Sequence, residues 1–411
     1  MRTDDPVDRR QTIALLMALA ATGCSGGGGG SAGGGAIVTP TPTPAPATPT
    51  PTPSPAITAA PIKATAAGKH MRFGTAVGWF ASGVDANSIN NPNDTAMIEH
   101  DCAILVPENE LKWQYIQPTN AAPDFSHFDA MLAYADSKGM AMRGHNLLWH
   151  QRRWMPPWLE TYDFGAAPAT EAARILTEHI QTICRRYAGR ILSYDVVNEA
   201  VDPATGALYE TALSQAMGGA QATLDLAFRT ARAEAPGAQL VYNDYMSWES
   251  GGATHQTGVL NLLQGFRTRG VPVDALGVQS HIGVYSGASI ASLVATQTPA
   301  WRSFLDAVVA MGYKLVVTEL DVRDTGLPTS TAQRDQGVAD YARAYLDLMF
   351  SYPQLSDVLV WGICDKYSWL QSQSPRSDGS PVRPCPYDAL FQPKPMQNAI
   401  NDAFAATMVR P

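Results

Sequence analysis

From about Ile62 onward, short apolar runs alternate with longer amphipathic stretches. The runs predict eight strands: Arg72–Val77, Ala103–Pro107, Ala141–His145, Leu192–Asn198, Gln239–Asn243, Ala275–Gln279, Lys314–Glu319 and Val358–Gly362. Near-continuous apolar runs of this length are the mark of strands buried on both faces. Between them lie helical patterns. From Phe125 to Ala135, the residues Phe125, Phe128, Leu132 and Ala135 share one face of a 3.6-residue repeat. Glu171 to Tyr187, Thr223 to Glu234, Gly258 to Thr268, Ser303 to Met311 and Arg334 to Phe350 read the same way. Gly139, Gly189, Gly237 and Gly312 stand where helix C-caps precede a strand. Strand–helix units repeated eight times across residues 62–411 predict a single, somewhat enlarged (β/α)8 barrel. A doubly wound open sheet is the alternative, but no Gly-x-Gly-x-x-Gly follows the first strand.

Upstream the pattern is different. Arg9-Arg10 precede a short apolar run, Ile13 to Ala21, and then Thr22-Gly23-Cys24. Such a run is too short to span a bilayer but suits the core of a signal peptide. Asp8-Arg9-Arg10 weakly resembles a twin-arginine export signal. Ala21-Thr-Gly-Cys24 resembles a bacterial lipoprotein cleavage box, although Ala21 stands where a larger aliphatic is usual. Residues 1–24 are therefore read as an export signal with two open outcomes: a lipid anchor to the membrane through Cys24, or plain cleavage nearby. Residues 25–61 read as a tether. Gly26 to Gly35 is almost all glycine and flexible, whereas Thr39 to Pro55 alternates Thr and Pro and is extended. Neither part can bury a core. The arrangement suits an exported protein, either held off a cell surface or periplasmic membrane or released. A tail without function is the alternative.

Bulk composition narrows the chemistry. The chain has 411 residues, 45% of them hydrophobic, and a formal net charge of -8. The negative balance, with no basic patch, argues against a nucleic-acid partner and suits a neutral or weakly charged substrate. There are five cysteines without a CxxC pair and eight histidines without HExxH, so no metal site is expected.

Polar residues gather where the predicted strands end. Ser193-Tyr-Asp-Val-Val-Asn-Glu-Ala200 and Leu315-Val-Val-Thr-Glu-Leu-Asp321 each run apolar residues up to a glutamate, Glu199 and Glu319. A Glu at a strand end can merely finish the strand or cap a helix. Two of them, each at the C-terminal end of a buried barrel strand, are what glycosidic bond cleavage requires. Their company fits. The other strand ends carry Glu108-Asn109-Glu110…Lys112-Trp113, His145…Trp149-His150, Tyr242-Asn243-Asp244, Gln279-Ser280-His281, Trp361 and, further on, Trp369. Indole faces stack on pyranose rings, and fixed donors read sugar hydroxyls.

These motifs resemble those of family 10 glycoside hydrolases, the retaining endo-β-1,4-xylanases. Pro107-Glu-Asn-Glu-Leu-Lys-Trp113, Arg143-Gly-His-Asn-Leu-Leu-Trp-His150, Asp195-Val-Val-Asn-Glu199, Gln279-Ser-His281 and Thr318-Glu-Leu-Asp321 match in the family's order. The likeness runs from Arg72 to Pro393-Lys-Pro395. The resemblance implies that Glu199 is the general acid/base and Glu319 the nucleophile. It implies that Asn198 holds the sugar 2-hydroxyl, and that His281, with Asp321 behind it, favours an ionised Glu319. Glu108, Asn109, Lys112, His145, Trp149, Gln279, Trp361 and Trp369 would line the glycone side, and Tyr242 and Asn243 the aglycone side. Asn146 departs from the family's more usual Thr, next to a peptide bond after His145 that the resemblance expects to be cis. The implied partner is xylan or a xylo-oligosaccharide, acted on by a monomer without a cofactor. A β-1,4-glucanase or mannanase on a related barrel remains a rival, as does a catalytically silent carbohydrate-binding protein. Cys102 and Cys184 read as buried small hydrophobes. Cys364 and Cys385 flank the loop of Trp369, where an exported protein permits a disulfide.

Overall fold

The computed structural model describes residues 57–411; the proposed export signal and the tether through residue 56 lie outside the described residues. The strands are β1 Arg72–Val77, β2 Ile104–Pro107, β3 Ala141–Trp149, β4 Ser193–Asn198, β5 Gln239–Asp244, β6 Ala275–Val278, β7 His281–Gly283, β8 Lys314–Arg323 and β9 Leu355–Val360. All pair in parallel, in the order β1-β2-β3-β4-β5-β6-β8-β9, and β9 returns to β1. The sheet is thus a closed eight-stranded barrel. The short β7 continues the line of β6 along the same neighbour: β6 pairs with Lys314–Val317, and β7 with Asp321–Arg323 further along β8.

All eight expected strands are present, β1 with the expected bounds and the others shifted at one end or both. β3 runs on to Trp149, and β8 runs on to Arg323, because both continue along their neighbours past the polar residues that seemed to end them. Helices Ser126–Ser137, Pro168–Arg186, Ala220–Glu234, Ala253–Thr268, Ile290–Ala310 and Thr331–Phe350 cover the six amphipathic patterns. Helix Pro92–Asp101 was not legible, since its sequence PNDTAMIEHD buries only Met97 and Ile98 among apolar side chains. Asn91 caps it by accepting the Asn93 amide, and Pro92 supplies a preset first turn. Gly139, Gly189 and Gly312 adopt left-handed φ, as expected of helix ends; Gly237 does not, following Pro236 instead.

Two cores result. Ala76, Ile104, Val106, Val241, Ala275, Val316 and Leu359 fill the barrel interior, with Trp361 above them. Outside, the other faces of the strands meet the helices, with Phe73, Leu105, Leu132, Ile180, Leu240, Phe266, Leu315 and Phe404 all buried. The four described cysteines are free and buried, so no bond joins Cys364 to Cys385; burial raises all four thiols above their usual range. At the foot of the barrel, chain entry and exit meet. The Arg410 amide donates to the Lys69 carbonyl at 2.9 Å, and the Arg410 carbonyl lies 2.8 Å from His70 Nδ1. The Arg410 guanidinium donates to the carbonyls of Leu355 (3.0 Å) and Phe350 (2.9 Å).

Candidate active site

The strand ends converge through two unusual bends. Neighbours on a straight strand point to opposite faces. Glu199 has φ +52° and Ser280 φ +63°, left-handed values that cost a non-glycine residue roughly 1–2 kcal/mol. The first bend brings Asn198 and Glu199, neighbours in sequence, to one site; past the second, Gln279 and His281, two residues apart, both reach it. The bend at Glu199 is braced: its amide donates to the Asn243 carbonyl at 2.9 Å, and the next amide, Ala200, donates to Tyr242 Oη at 3.2 Å.

Glu319 receives one neutral and one charged donor. Asn243 Nδ2 donates to Oε1 at 2.8 Å, and His281 Nε2 lies 3.1 Å from Oε2. The other His281 nitrogen, Nδ1, is 2.8 Å from Asp321 Oδ2, which also accepts the Trp369 indole N–H at 2.8 Å. Burial pulls the His281 pKa down, but the charge and hydrogen bond of Asp321, with Glu319, outweigh it and set the pKa at about 9. The imidazolium therefore donates to both carboxylates. Asn243 is fixed in turn by Thr318 Oγ1, which donates to its Oδ1 at 2.7 Å. Gly277 makes the room: a Cβ there would stand 2.4 Å from Asn243 Oδ1.

Glu199 receives only neutral donors. Gln279 Nε2 donates to Oε1 at 2.9 Å, while Trp149 Nε1 (3.0 Å) and Gln151 Nε2 (2.9 Å) donate to Oε2. Burial raises its pKa to about 7; the Gln279 and Trp149 bonds oppose this, and the charges of Asp244 and Glu319 add to it. Asn198 Oδ1 accepts from Asn243 Nδ2 at 2.9 Å and from Gln279 Nε2 at 3.4 Å. That fixes the amide so that its NH2 is the group offered to a ligand.

On one side of this pair stands a polar and aromatic cluster. Lys112 Nζ donates to Asn109 Oδ1 at 3.1 Å and lies 4.8 Å from the Trp149 ring centre and 5.7 Å from that of Trp361. Burial lowers its pKa against the pull of Glu319, Glu108, Glu199 and Glu110. Glu108 accepts from Asn87 Nδ2 at 3.2 Å. His145 meets the Trp361 ring edge-on at 5.3 Å and is oriented by Asp195, 2.9 Å from its Nδ1; Arg143 holds the other Asp195 oxygen. The His145–Asn146 peptide is cis, and the buried Asn146 amide has no partner among the described residues.

Two expected positions differ. Tyr242 and Asn243 do not line an open face; both are fully buried. They alternate on β5, so Asn243 points into the barrel at Glu319, while Tyr242 turns outward, donates to Asp244 and packs near Phe266. The aromatic at this rim is Tyr245, three residues on and half-buried. Burial and the charges of Asp244 and Glu199 hold its hydroxyl above the usual range. Sequence reasoning also missed Gln151, a donor to Glu199, and Trp154, stacked on Trp149 at 4.5 Å. Their signal was proximity to Trp149.

The model of glycosyl hydrolase family 10 matches residues 62–403. The chain belongs to that family. Among its family 10 relatives, endo-1,4-beta-xylanase C of Phanerodontia chrysosporium is 30% identical over 336 residues, 80% of this chain and 76% of the relative. Endo-1,4-beta-xylanase A of Fusarium oxysporum f. sp. lycopersici is 31% identical, covering 80% of this chain and 93% of the relative. Among solved family 10 structures, xylanase 10B of Thermotoga petrophila in complex with xylobiose superposes with a TM-score of 0.71 at 26% identity, over 84% of this chain and 97% of that one.

Proposed function

We propose that this chain hydrolyses internal β-1,4-xylosidic bonds of xylan with retention of configuration, Glu319 serving as nucleophile and Glu199 as general acid/base. The observation that carries the assignment is the unequal provision of the two carboxyls. Glu319 accepts from a cation, while Glu199, with neutral donors only, keeps its proton to about pH 7. The xylanase relatives and the xylobiose complex support the substrate.

In the first step Glu319 Oε attacks the anomeric carbon and the glycosidic C–O bond breaks. The Glu199 proton passes to the departing oxygen, leaving a glycosyl ester on Glu319. In the second step ionised Glu199 takes a proton from water, the water oxygen attacks the anomeric carbon, and the ester bond breaks. Glu199 is protonated again and Glu319 is free. Asn198 donates to the 2-hydroxyl as oxocarbenium character develops. His281 balances charge on Glu319 as it is released. Glu108, Asn109, Lys112, His145, Trp149, Gln279 and Trp361 hold the donor-side sugars, and Trp369, beside His281 and Asp321, closes that wall.

Reducing-sugar release from xylan, carboxymethyl cellulose and mannan, measured side by side, tests the substrate: xylan leads, and preference for either rival defeats the reading. NMR of early product tests the mechanism, since α-configured xylose ends are incompatible with retention. Residues 1–24 are proposed to direct export, residues 25–61 to act as a tether, and the barrel to work as a monomer. Intact mass of the mature chain tests the anchor, because an unmodified N-terminus downstream of Cys24 excludes it.

A further inference from the structure

We infer that Asp244 and His255 are positioning residues for Glu199: Asp244 braces the bend that presents the acid, and the opposed charges of the pair govern its hold on the proton. The inference rests on the reading of Glu199 as general acid. The reaction steps above use neither residue. Both are buried, Asp244 completely and His255 to 4% exposure. A buried ion pair is by itself weak evidence of any role. This pair differs because it reaches Glu199 in two ways.

The first way is through the backbone. Asp244 accepts the Tyr242 hydroxyl proton, which leaves Tyr242 Oη free to act as an acceptor. Tyr242 Oη accepts the Ala200 amide, 3.2 Å away and one residue past the left-handed bend at Glu199. The Asp244 carbonyl meanwhile accepts the Gln279 amide at 3.0 Å, and Gln279 Nε2 donates to Glu199 Oε1 at 2.9 Å. One residue therefore steadies both the bend under the acid and the amide that holds its carboxyl. The Tyr245 amide, 2.8 Å from Asp244 Oδ1, keeps the carboxylate from turning away.

The second way is electrostatic. His255 Nε2 stands 3.2 Å from Asp244 Oδ1, and the His255 and Tyr245 ring centres are 4.7 Å apart. His255 lies in the first turn of helix Ala253–Thr268, where the helix dipole disfavours a cation. Its charge is therefore held by carboxylates. The helix is seated closely on the loop that follows Glu199: a Cβ on Gly258 would stand 2.5 Å from the Gly206 carbonyl oxygen and 2.6 Å from Val201 Cγ1. The titratable groups gathered here are Tyr242 and Tyr245 from β5 and its loop, His255 from the helix, and Glu199, Asp202 and Tyr209 from β4 and its loop. Burial pulls the His255 pKa down, but Asp244, with Glu199 and Asp202, outweighs it and raises it above the usual value. On Glu199, the Asp244 charge adds to the upward push of burial. The two charges thus act in opposite senses: Asp244 resists ionisation of Glu199, and the His255 cation favours it. As pH rises and His255 loses its proton, Asp244 is left unopposed and Glu199 keeps its own proton to higher pH.

The Glu199 titration by carbon NMR, read beside the alkaline limb of kcat/KM on xylohexaose, tests this. Asp244→Asn moves the Glu199 midpoint and the limb down by about half a pH unit, and His255→Gln moves both up by a similar amount. His255→Lys, which keeps a cation through this range, moves neither upward. Tyr242→Phe keeps both charges, so midpoint and limb stay in place. Its xylan kcat falls roughly tenfold further than its kcat on an aryl xylobioside with a good leaving group, because only xylan needs a well-placed acid. Midpoints unmoved in Asp244→Asn and His255→Gln, whatever their stability, overturn the charge pair, as does an equal upward shift in His255→Lys. Equal losses on the two substrates in Tyr242→Phe overturn the brace. If the Glu199 midpoint moves as expected and the limb does not follow, Glu199 is not the acid, and the reading beneath the inference has failed instead.

Discussion

Glu199 and Glu319 are the same residue type at nearly the same depth, 8% and 5% exposed, yet they are equipped for opposite work. Around Glu199 every hydrogen-bond donor is neutral: an amide from Gln279, another from Gln151, and the Trp149 indole. Around Glu319 one donor is the His281 imidazolium, held charged by Asp321. Burial is common to both, so burial alone does not divide their roles. The division comes from one histidine with an acid behind it, placed beside one carboxylate and not the other.

Removing the carboxylates breaks the comparison most severely. Glu319→Ala loses the covalent step for every substrate, a fall of roughly a millionfold in kcat, read on xylan and on an activated aryl xylobioside alike. Glu199→Ala costs roughly a hundred- to ten-thousandfold on xylan. On an aryl glycoside with a good leaving group it still gives a burst of phenol followed by slow turnover. Azide, which needs no general base, restores turnover and yields the β-glycosyl azide. A burst in the Glu319 variant and none in the Glu199 variant means the roles are reversed. Asp321→Asn makes the two sites more alike. His281 then titrates nearer its ordinary range by NMR, and kcat falls about thirtyfold, the worth of one charged hydrogen bond near 2 kcal/mol. An unchanged His281 titration refutes the charge assignment.

Trp369→Ala has a smaller effect: xylan turnover weakens and aryl cellobioside gains relative to it by about 1 kcal/mol, the lower end of what one small group is worth, if the indole crowds the glucose C6 position. Because its N–H also holds Asp321, part of this loss appears in the His281 titration, which separates anchoring from crowding. The mildest test is pH. As the proposed general acid Glu199 works when protonated, and its pKa is raised, so kcat/KM is expected to hold up to about pH 7 and to fall above it. The folded state also holds this proton more tightly than the unfolded chain. Its contribution to stability is therefore favourable at low pH and is lost as pH climbs through about 7. In Glu319→Gln, the Glu199 titration followed by carbon NMR moves down, because one of the charges opposing its ionisation is gone.

Much of this was legible in the sequence because barrel strands announce themselves as apolar runs that stop on polar residues. β1 was bounded correctly although it stops before Gly78 and not on a polar residue, and Glu199 and Glu319 stood out as the polar residues closing the apolar runs of β4 and β8. The rest failed where alternation misleads. The outer half of β8, Glu319-Leu-Asp-Val-Arg323, alternates as a strand facing β7 does, and was missed because Glu319 was read as the strand's end. Tyr242 and Asn243 were assigned together, but neighbours on an unbent strand must part. Asn198 and Glu199 escape that rule only through the left-handed turn at Glu199, which nothing in the sequence marks. Gln151 was passed over because it stands two residues beyond Trp149, past the quoted end of the β3 motif at His150.

The meeting of Arg410 with Lys69 and His70 makes the order of the strands along the chain a historical matter more than a physical one. With β1 and β9 hydrogen-bonded like any other pair, and Arg410 bonded to Lys69 and His70 just ahead of β1, the ring has no privileged seam. The covalent break could sit elsewhere. A circularly permuted gene that joins Pro411 to Ile57 through a flexible glycine–serine linker and opens the exposed segment Ser286–Ala288 should encode the same barrel. Its eight repeats would then emerge from the ribosome in a different order, with the strand of Glu319 synthesised before that of Glu199.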